Sequence, residues 1–227
     1  MKISNPFCDL TQFEKILWGV SMVIVGTSYL FSGGEGILSA IASLIGVTAL
    51  IFVAKGYVFG QILTVIFAIF YGIISFFLSY YGEMITYLCM SAPAALVTIV
   101  EWLRHPYKGT KEVKVGKLTK AHIAAIVILS ALVTAAFYFI LRALGNASLI
   151  VSTISVTTSF IASALTFCRS PYYALAYTAN DIVLIILWIL AAMQSLSYLP
   201  MVLCFIMFLF NDIYGFYSWK RMENRQT

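Results

Sequence analysis

Apolar runs long enough to cross a lipid bilayer dominate the chain, and they leave few folds open. A spanning helix needs about 20 mostly apolar residues. Eight such runs are legible, near 16–33, 36–54, 57–79, 84–103, 121–142, 147–168, 172–193 and 197–219. Backbone groups in hydrocarbon must bond within their own segment, so runs of this length are helices. The fold class predicted is an all-α membrane protein with eight transmembrane helices. Composition agrees, since 62% of residues are hydrophobic and only 10% charged. A soluble domain of this length needs far more polar surface.

The separators are short and polar or glycine-containing. They read Ser32-Gly33-Gly34-Glu35, Lys55-Gly56, Tyr80-Tyr81-Gly82-Glu83, a long basic loop, Arg142 to Asn146, Arg169-Ser170-Pro171 and Gln194 to Ser197. The first apolar run begins near Ile16, after the mixed-charge stretch Asp9–Lys15, and no small-residue cleavage site follows it. It is read as a retained first helix rather than a signal peptide.

Lys and Arg positions give the orientation. The loop 104–120 holds Arg104, Lys108, Lys111, Lys114, Lys117 and Lys120 against one acid, Glu112, and the tail holds Lys220, Arg221 and Arg225. With eight spans, both termini, the basic loop, Lys55 and Arg169 fall on one side. That side is expected to be the cytoplasm, across the inner (plasma) membrane. The four cysteines, Cys8, Cys89, Cys168 and Cys204, are well separated and read as small buried hydrophobes. The only histidines, His105 and His122, bracket the basic loop, and neither a phosphate-binding glycine loop nor metal-ligand spacing occurs. An enzyme is not expected, nor a cofactor, a metal or a nucleic-acid partner.

The two sides of the basic loop resemble each other. An offset of 117 residues carries Tyr81 to Tyr198, Trp102 to Trp219, Thr64 to Asp181 and Gln61 to Thr178. Lys55-Gly56 and Arg169-Ser170 precede equivalent spans. The expected organisation is an N-terminal tail and extra helix (1–34), a first three-helix repeat (35–103), the basic loop (104–120), a linker helix (121–146), a second three-helix repeat (147–219) and a tail (220–227). Parallel repeats of this kind are a transporter architecture, with the substrate near the midplane between them.

One stretch stands out, Pro171–Trp188, because it carries Asn180 and Asp181 at mid-depth. An acid at the centre of a spanning helix costs about 2.5–3.5 kcal/mol, so it rarely faces lipid. Tyr173, Tyr177, Asn180, Asp181, Leu184 and Trp188 follow at spacings of three and four, which gathers them on one helix face. On the third span Tyr57, Gln61, Thr64 and Tyr71 share a side, and on the eighth Asn211, Tyr214 and Ser218 do. Of these, Tyr57, Gln61, Thr64, Tyr71, Tyr173, Tyr177, Asn180, Asp181, Trp188, Asn211 and Tyr214 are the candidate substrate-binding residues. The bland alternative, polar glue between helices, stays open for Asp181, Gln61 and Thr64, and for Asn211-Asp212 the alternative is a place near the cytoplasmic interface with no substrate role. Trp102 and Trp219 read as interfacial anchors. Ser39, Ala42, Ser43 and Gly46, and Ser159, Ala162 and Ser163, read as tight helix packing.

Several runs resemble the PnuC-type nicotinamide riboside/nicotinamide mononucleotide transporter family. They are Val53-Ala54-Lys55-Gly56-Tyr57-Val58-Phe59-Gly60, Tyr81-Gly82-Glu83, Asn180-Asp181, and Asn211-Asp212-Ile213-Tyr214-Gly215-Phe216-Tyr217-Ser218-Trp219. The resemblance covers about Ile37 to Trp219. It implies a three-plus-one-plus-three fold related to small sugar facilitators and facilitated uptake of a pyridine riboside. It also implies trapping by a separate cytoplasmic kinase, and a homotrimer in the bilayer. The chain departs from the family at Tyr172-Tyr173-Ala174-Leu175-Ala176-Tyr177, where many members carry two Trp, and at Thr64, where Asn is usual. The departures leave open another vitamin, such as thiamine, on the same fold. A membrane sensor or scaffold without transport is the reading from another class.

Overall fold

The computed structural model describes residues 5–31, 37–77, 81–146, 148–193 and 195–227. The separator Ser32-Gly33-Gly34-Glu35, together with Tyr80 and Gln194 of two others, lies outside the described residues. Among the described residues eight long helices are present: α1 (Gln12–Phe31), α2 (Ile37–Ala54), α3 (Val58–Phe77), α4 (Tyr81–Arg104), α5 (Lys120–Ala143), α6 (Leu149–Phe167), α7 (Tyr173–Ala192) and α8 (Leu199–Gln226). Seven of them, α2 to α8, are long and apolar enough to cross a membrane. The basic loop contributes two isolated bridges, and no strand forms among the described residues.

α1 starts earlier than its hydropathy suggested. Thr11 and Glu14 form a reciprocal cap, with Thr11 N donating to Glu14 Oε2 at 2.7 Å and Glu14 N to Thr11 Oγ1 at 3.3 Å. That pattern satisfies first-turn amides that otherwise lack partners. Glu14 is buried, and Lys55 Nζ neutralises it at 3.0 Å. Glu14 and Lys15 therefore sit inside the helix rather than ahead of it, while Asp9 lies in a short 3-10 turn before it. α8 likewise runs on through Lys220–Gln226, where a separate tail was expected.

α4 is not regular. A π-helical segment, Thr86–Ser91, interrupts it between α-helical Tyr81–Ile85 and Ala92–Arg104. Such wide turns concentrate at functional sites.

Packing groups the helices in two sets of three. α2, α3 and α4 pack in sequence, as do α6, α7 and α8. The two units close on each other through α2 against α8 and α4 against α6. The first helix of each unit thus meets the last helix of the other. α1 covers the seam between α2 and α8, while α5 lies outside the ring against α6, with little more than Ser130 and Leu141 buried.

Trp102 and Trp219 are not exposed anchors. They are 1% and 0% exposed, and their rings meet at 5.4 Å between centroids. Trp102 Nε1 donates to Thr166 O at 3.1 Å, near the end of α6, and Trp219 Nε1 donates to Val53 O at 2.8 Å, near the end of α2. Each unit's last Trp therefore fastens the other unit's first helix. A Trp N–H buried this deeply must find an acceptor, and helix C-termini have spare carbonyls.

The basic loop crosses the same end. Val113 N donates to Gly56 O and Gly116 N to Arg169 O, both at 2.9 Å, so the loop is pinned to the equivalent turn of each unit. A Cβ at Gly116 would lie 2.2 Å from Cys168 O, which leaves room only for glycine. Lys111 pairs with Asp9 at 2.6 Å, Arg169 with Glu101 at 3.4 Å, and Arg225 with Glu112. The hydrogen bond and charge of Lys111 hold the Asp9 carboxyl below its usual range. Of the cysteines, Cys204 is buried, whereas Cys8 and Cys89 are exposed, contrary to the buried-hydrophobe expectation.

Candidate functional site

α7 presents its polar face inward, as its spacing predicts. Tyr173, Asn180, Asp181, Leu184 and Trp188 are all buried. Tyr173, Tyr177, Asn180, Asp181 and Leu184 line a cavity of about 80 Å³ in the middle of the bundle. The first unit supplies the facing wall: Gly46, Ala49, Leu50 and Val53 from α2, Gln61, Thr64, Phe67 and Ala68 from α3, and Tyr87 and Ser91 from α4. Ser159 of α6 and Phe205, Phe208 and Asp212 of α8 complete it. Thr64 and Asp181, equivalent under the internal repeat, thus line one space from opposite units.

The polar groups are held by their neighbours. Asn180 Oδ1 accepts from Thr158 Oγ1 at 2.8 Å, Ser159 Oγ at 3.0 Å and Ser155 Oγ at 3.4 Å. Three hydroxyls on α6 therefore fix the amide with its oxygen toward α6. The Tyr177 hydroxyl lies 3.2 Å from Ser163 Oγ. Tyr173 packs edge-on against Trp219 at 5.1 Å and against Tyr177 at 6.2 Å. Gly215 makes room for the Tyr173 hydroxyl, since a Cβ there would lie 3.0 Å from it. Asp181 and Asp212 share a side-chain hydrogen bond. The second oxygen of Asp181, Oδ2, is buried without a partner. A buried carboxyl oxygen without a partner is costly unless a ligand meets it.

Gly46 sets the cavity's floor. A Cβ there would lie 2.5 Å from Phe208 Cζ and 3.0 Å from Phe67 Cδ2. Gly46 and Ser159, read from the sequence as packing residues, both pack tightly and line the cavity. Aromatic rings enclose it further, with Phe67 at 5.6 Å from Phe208 and 5.8 Å from Tyr87.

The structure gathers six candidates in the cavity wall: Gln61, Thr64, Tyr173, Tyr177, Asn180 and Asp181. The other five lie elsewhere. Tyr57 sits at the basic-loop end, where its hydroxyl donates to Asp9 at 3.5 Å and the Lys55 ammonium lies 5.8 Å from its ring. Tyr71 and Trp188 meet in an aromatic cluster beyond the cavity, 6.4 Å apart. Asn211 donates to Ser21 Oγ at 3.0 Å, and Tyr214 donates to Glu14 Oε1 at 2.9 Å, so both face α1. The shared face of Asn211 and Tyr214 is real, but it is turned to the extra helix. The adjacent residue, Asp212, points to the centre instead. The sequence reading also left out Tyr87 and Ser91, which the π turn brings into the wall. Among the described residues no group of acids, histidines and cysteines could hold a metal ion.

Comparison with known proteins gives the same picture. A sequence model described as nicotinamide mononucleotide transporter matches residues 36–221. The nicotinamide riboside transporter PnuC of Neisseria mucosa is 26% identical over 226 residues, covering 97% of this chain and 86% of that protein. The Haemophilus influenzae protein of the same name is 22% identical, covering 99% and 97%. A crystal structure of the vitamin B3 transporter PnuC superposes with a TM-score of 0.84 at 26% identity, covering 96% of this chain and 94% of that one. With the match spanning both three-helix units and the cavity between them, the chain belongs to the nicotinamide mononucleotide transporter family.

Proposed function

We propose that this chain carries nicotinamide riboside into the cell by facilitated diffusion. The observation that carries the reading is the central cavity. Both three-helix units build it, and it combines aromatic faces with amide, hydroxyl and carboxyl groups. Tyr173, Tyr177 and Tyr87 offer faces to the pyridinium ring, a contact worth about 0.5–2 kcal/mol. Gln61 and Asn180 suit the carboxamide. Thr64, Ser91 and the Asp181–Asp212 pair suit the ribose and the positive charge. Among the described residues the wall holds two acids and no Lys or Arg, so it favours the riboside over the mononucleotide, whose phosphate would meet those acids. The names of the relatives support the same substrate class.

At about 80 Å³ the cavity is smaller than the roughly 300–1,000 Å³ typical of small-molecule sites. Binding therefore requires the two units to move apart, and rocking about the shared site opens it to either side. A separate cytoplasmic kinase traps the riboside by phosphorylation, so uptake needs no energy source within this chain. In this reading the protein is a homotrimer in the inner membrane, with both termini, the basic loop and the C-terminal helix end in the cytoplasm. The chain acts as a carrier and not as an enzyme.

The second reading is thiamine, another cationic aromatic vitamin, favoured by the departure at Tyr172–Tyr177, where many members carry two Trp. Counterflow in proteoliposomes separates the readings. Labelled nicotinamide riboside should enter, and unlabelled riboside should compete better than thiamine or nicotinamide. Stronger competition by thiamine would reassign the substrate. No counterflow of any riboside would favour a sensor or scaffold.

A further inference from the structure

Beyond the cavity, on the side away from the basic loop, lies a buried acid that the transport site does not use. Glu83 sits one turn before Tyr87 on α4, is 4% exposed, and has no hydrogen-bond partner at Oε2. Among the described residues no ion pair includes it. The Tyr71 hydroxyl, also buried, is likewise without a partner. Both Tyr71 and Tyr87 lie within electrostatic range of the Glu83 carboxyl. Their rings are tilted at 48° with centroids 4.3 Å apart. Tyr87 faces two ways, since it also lines the cavity and lies within range of Asp181.

A carboxyl retained for structure alone is normally bonded on both oxygens or paired with a base. Here an unpartnered acid, an unpartnered phenol and two rings converge on the side of the cavity away from the basic loop. The geometry points to a second, outer subsite that takes the substrate's cationic aromatic ring before it enters the cavity. Glu83 supplies the opposite charge, the Tyr71–Tyr87 pair supplies the aromatic face, and Tyr87 is the wall shared with the cavity. The π turn Thr86–Ser91 belongs to the same device, because it sets Tyr87 relative to Ser91 in the cavity wall. This inference rests on the transport reading above.

The test separates charge from shape. Proteoliposomes held at zero membrane potential are given nicotinamide riboside, whose ring is cationic, or its dihydro form, whose ring is neutral. Wild type, Glu83→Gln and Glu83→Asp are compared. Glu83→Gln should raise the half-saturating concentration of the cationic form about tenfold, in line with a desolvated cation contact. It should leave the neutral form nearly unchanged, and Glu83→Asp should restore most of the loss. An unchanged value for the cationic form, or equal changes for both forms, would overturn the subsite. So would a Glu83→Gln protein that fails to fold, because that assigns Glu83 a structural role. Wild type that carries neither form would overturn the transport reading itself, and the subsite with it.

Discussion

At the scale of single residues, Asn180 and Tyr177 carry the most weight. Asn180 is fixed by three α6 hydroxyls, and Tyr177 is braced by Ser163. Asn180→Ala or Tyr177→Ala should reduce riboside uptake to background while the protein still reaches the membrane, as read by uptake and immunoblot together. Normal uptake by both would remove them from the site. The α7 face was legible because helical spacing places Tyr173, Tyr177, Asn180 and Asp181 together without help from other helices. α8 was harder. Its period correctly groups Asn211 with Tyr214, but period alone does not say which neighbour that face meets. α1 takes it, and Asp212 is left for the centre. Gly46 gave no hint of its role in the cavity, because its importance comes from Phe67 and Phe208, contributed by other helices.

At the scale of elements, the spans themselves were legible to within a few residues, since length and apolarity are set by the bilayer. The ends that moved did so for local reasons. The Thr11–Glu14 cap and the Glu14–Lys55 pair draw α1 forward, and the polar end of α8 stays helical because Gln226 binds the basic loop through Val113 and Val115. The irregularity in α4 had no sequence signal, because Thr86–Ser91 reads as one more apolar turn. A π turn holds one residue more than an α turn would. Deleting Cys89, which is exposed there, should restore a regular α turn and change how Tyr87 sits relative to Ser91. The shortened protein is expected to fold and to lose uptake. Retained uptake would show that the turn does not position the wall.

At the scale of the whole molecule, two three-helix sets meet through their end helices. Few residues are shared between them at the 117-residue offset. Trp102 and Trp219 are constrained because each fastens the opposite unit. Thr64 and Asp181, 117 residues apart, both line the cavity but differ in chemistry. Trp102→Phe and Trp219→Phe keep the rings but remove the N–H donors, so the Thr166 and Val53 carbonyls keep only the backbone bonds from Arg169 N and Gly56 N. Each should cost about 1–2 kcal/mol, seen as a lower unfolding midpoint in detergent. The two changes should be similar in size, and a neutral result for either would deny the reciprocal bracing.

The central claim is that one site is built by both units. Binding of nicotinamide riboside to purified protein, measured by calorimetry for wild type, Gln61→Ala and Asn180→Ala, tests it most directly. Both variants should weaken binding about tenfold or more, at roughly 1.4 kcal/mol per tenfold, because α3 and α7 face the same ligand. Weakening by Asn180→Ala with full affinity retained by Gln61→Ala would contradict a site shared across the repeat.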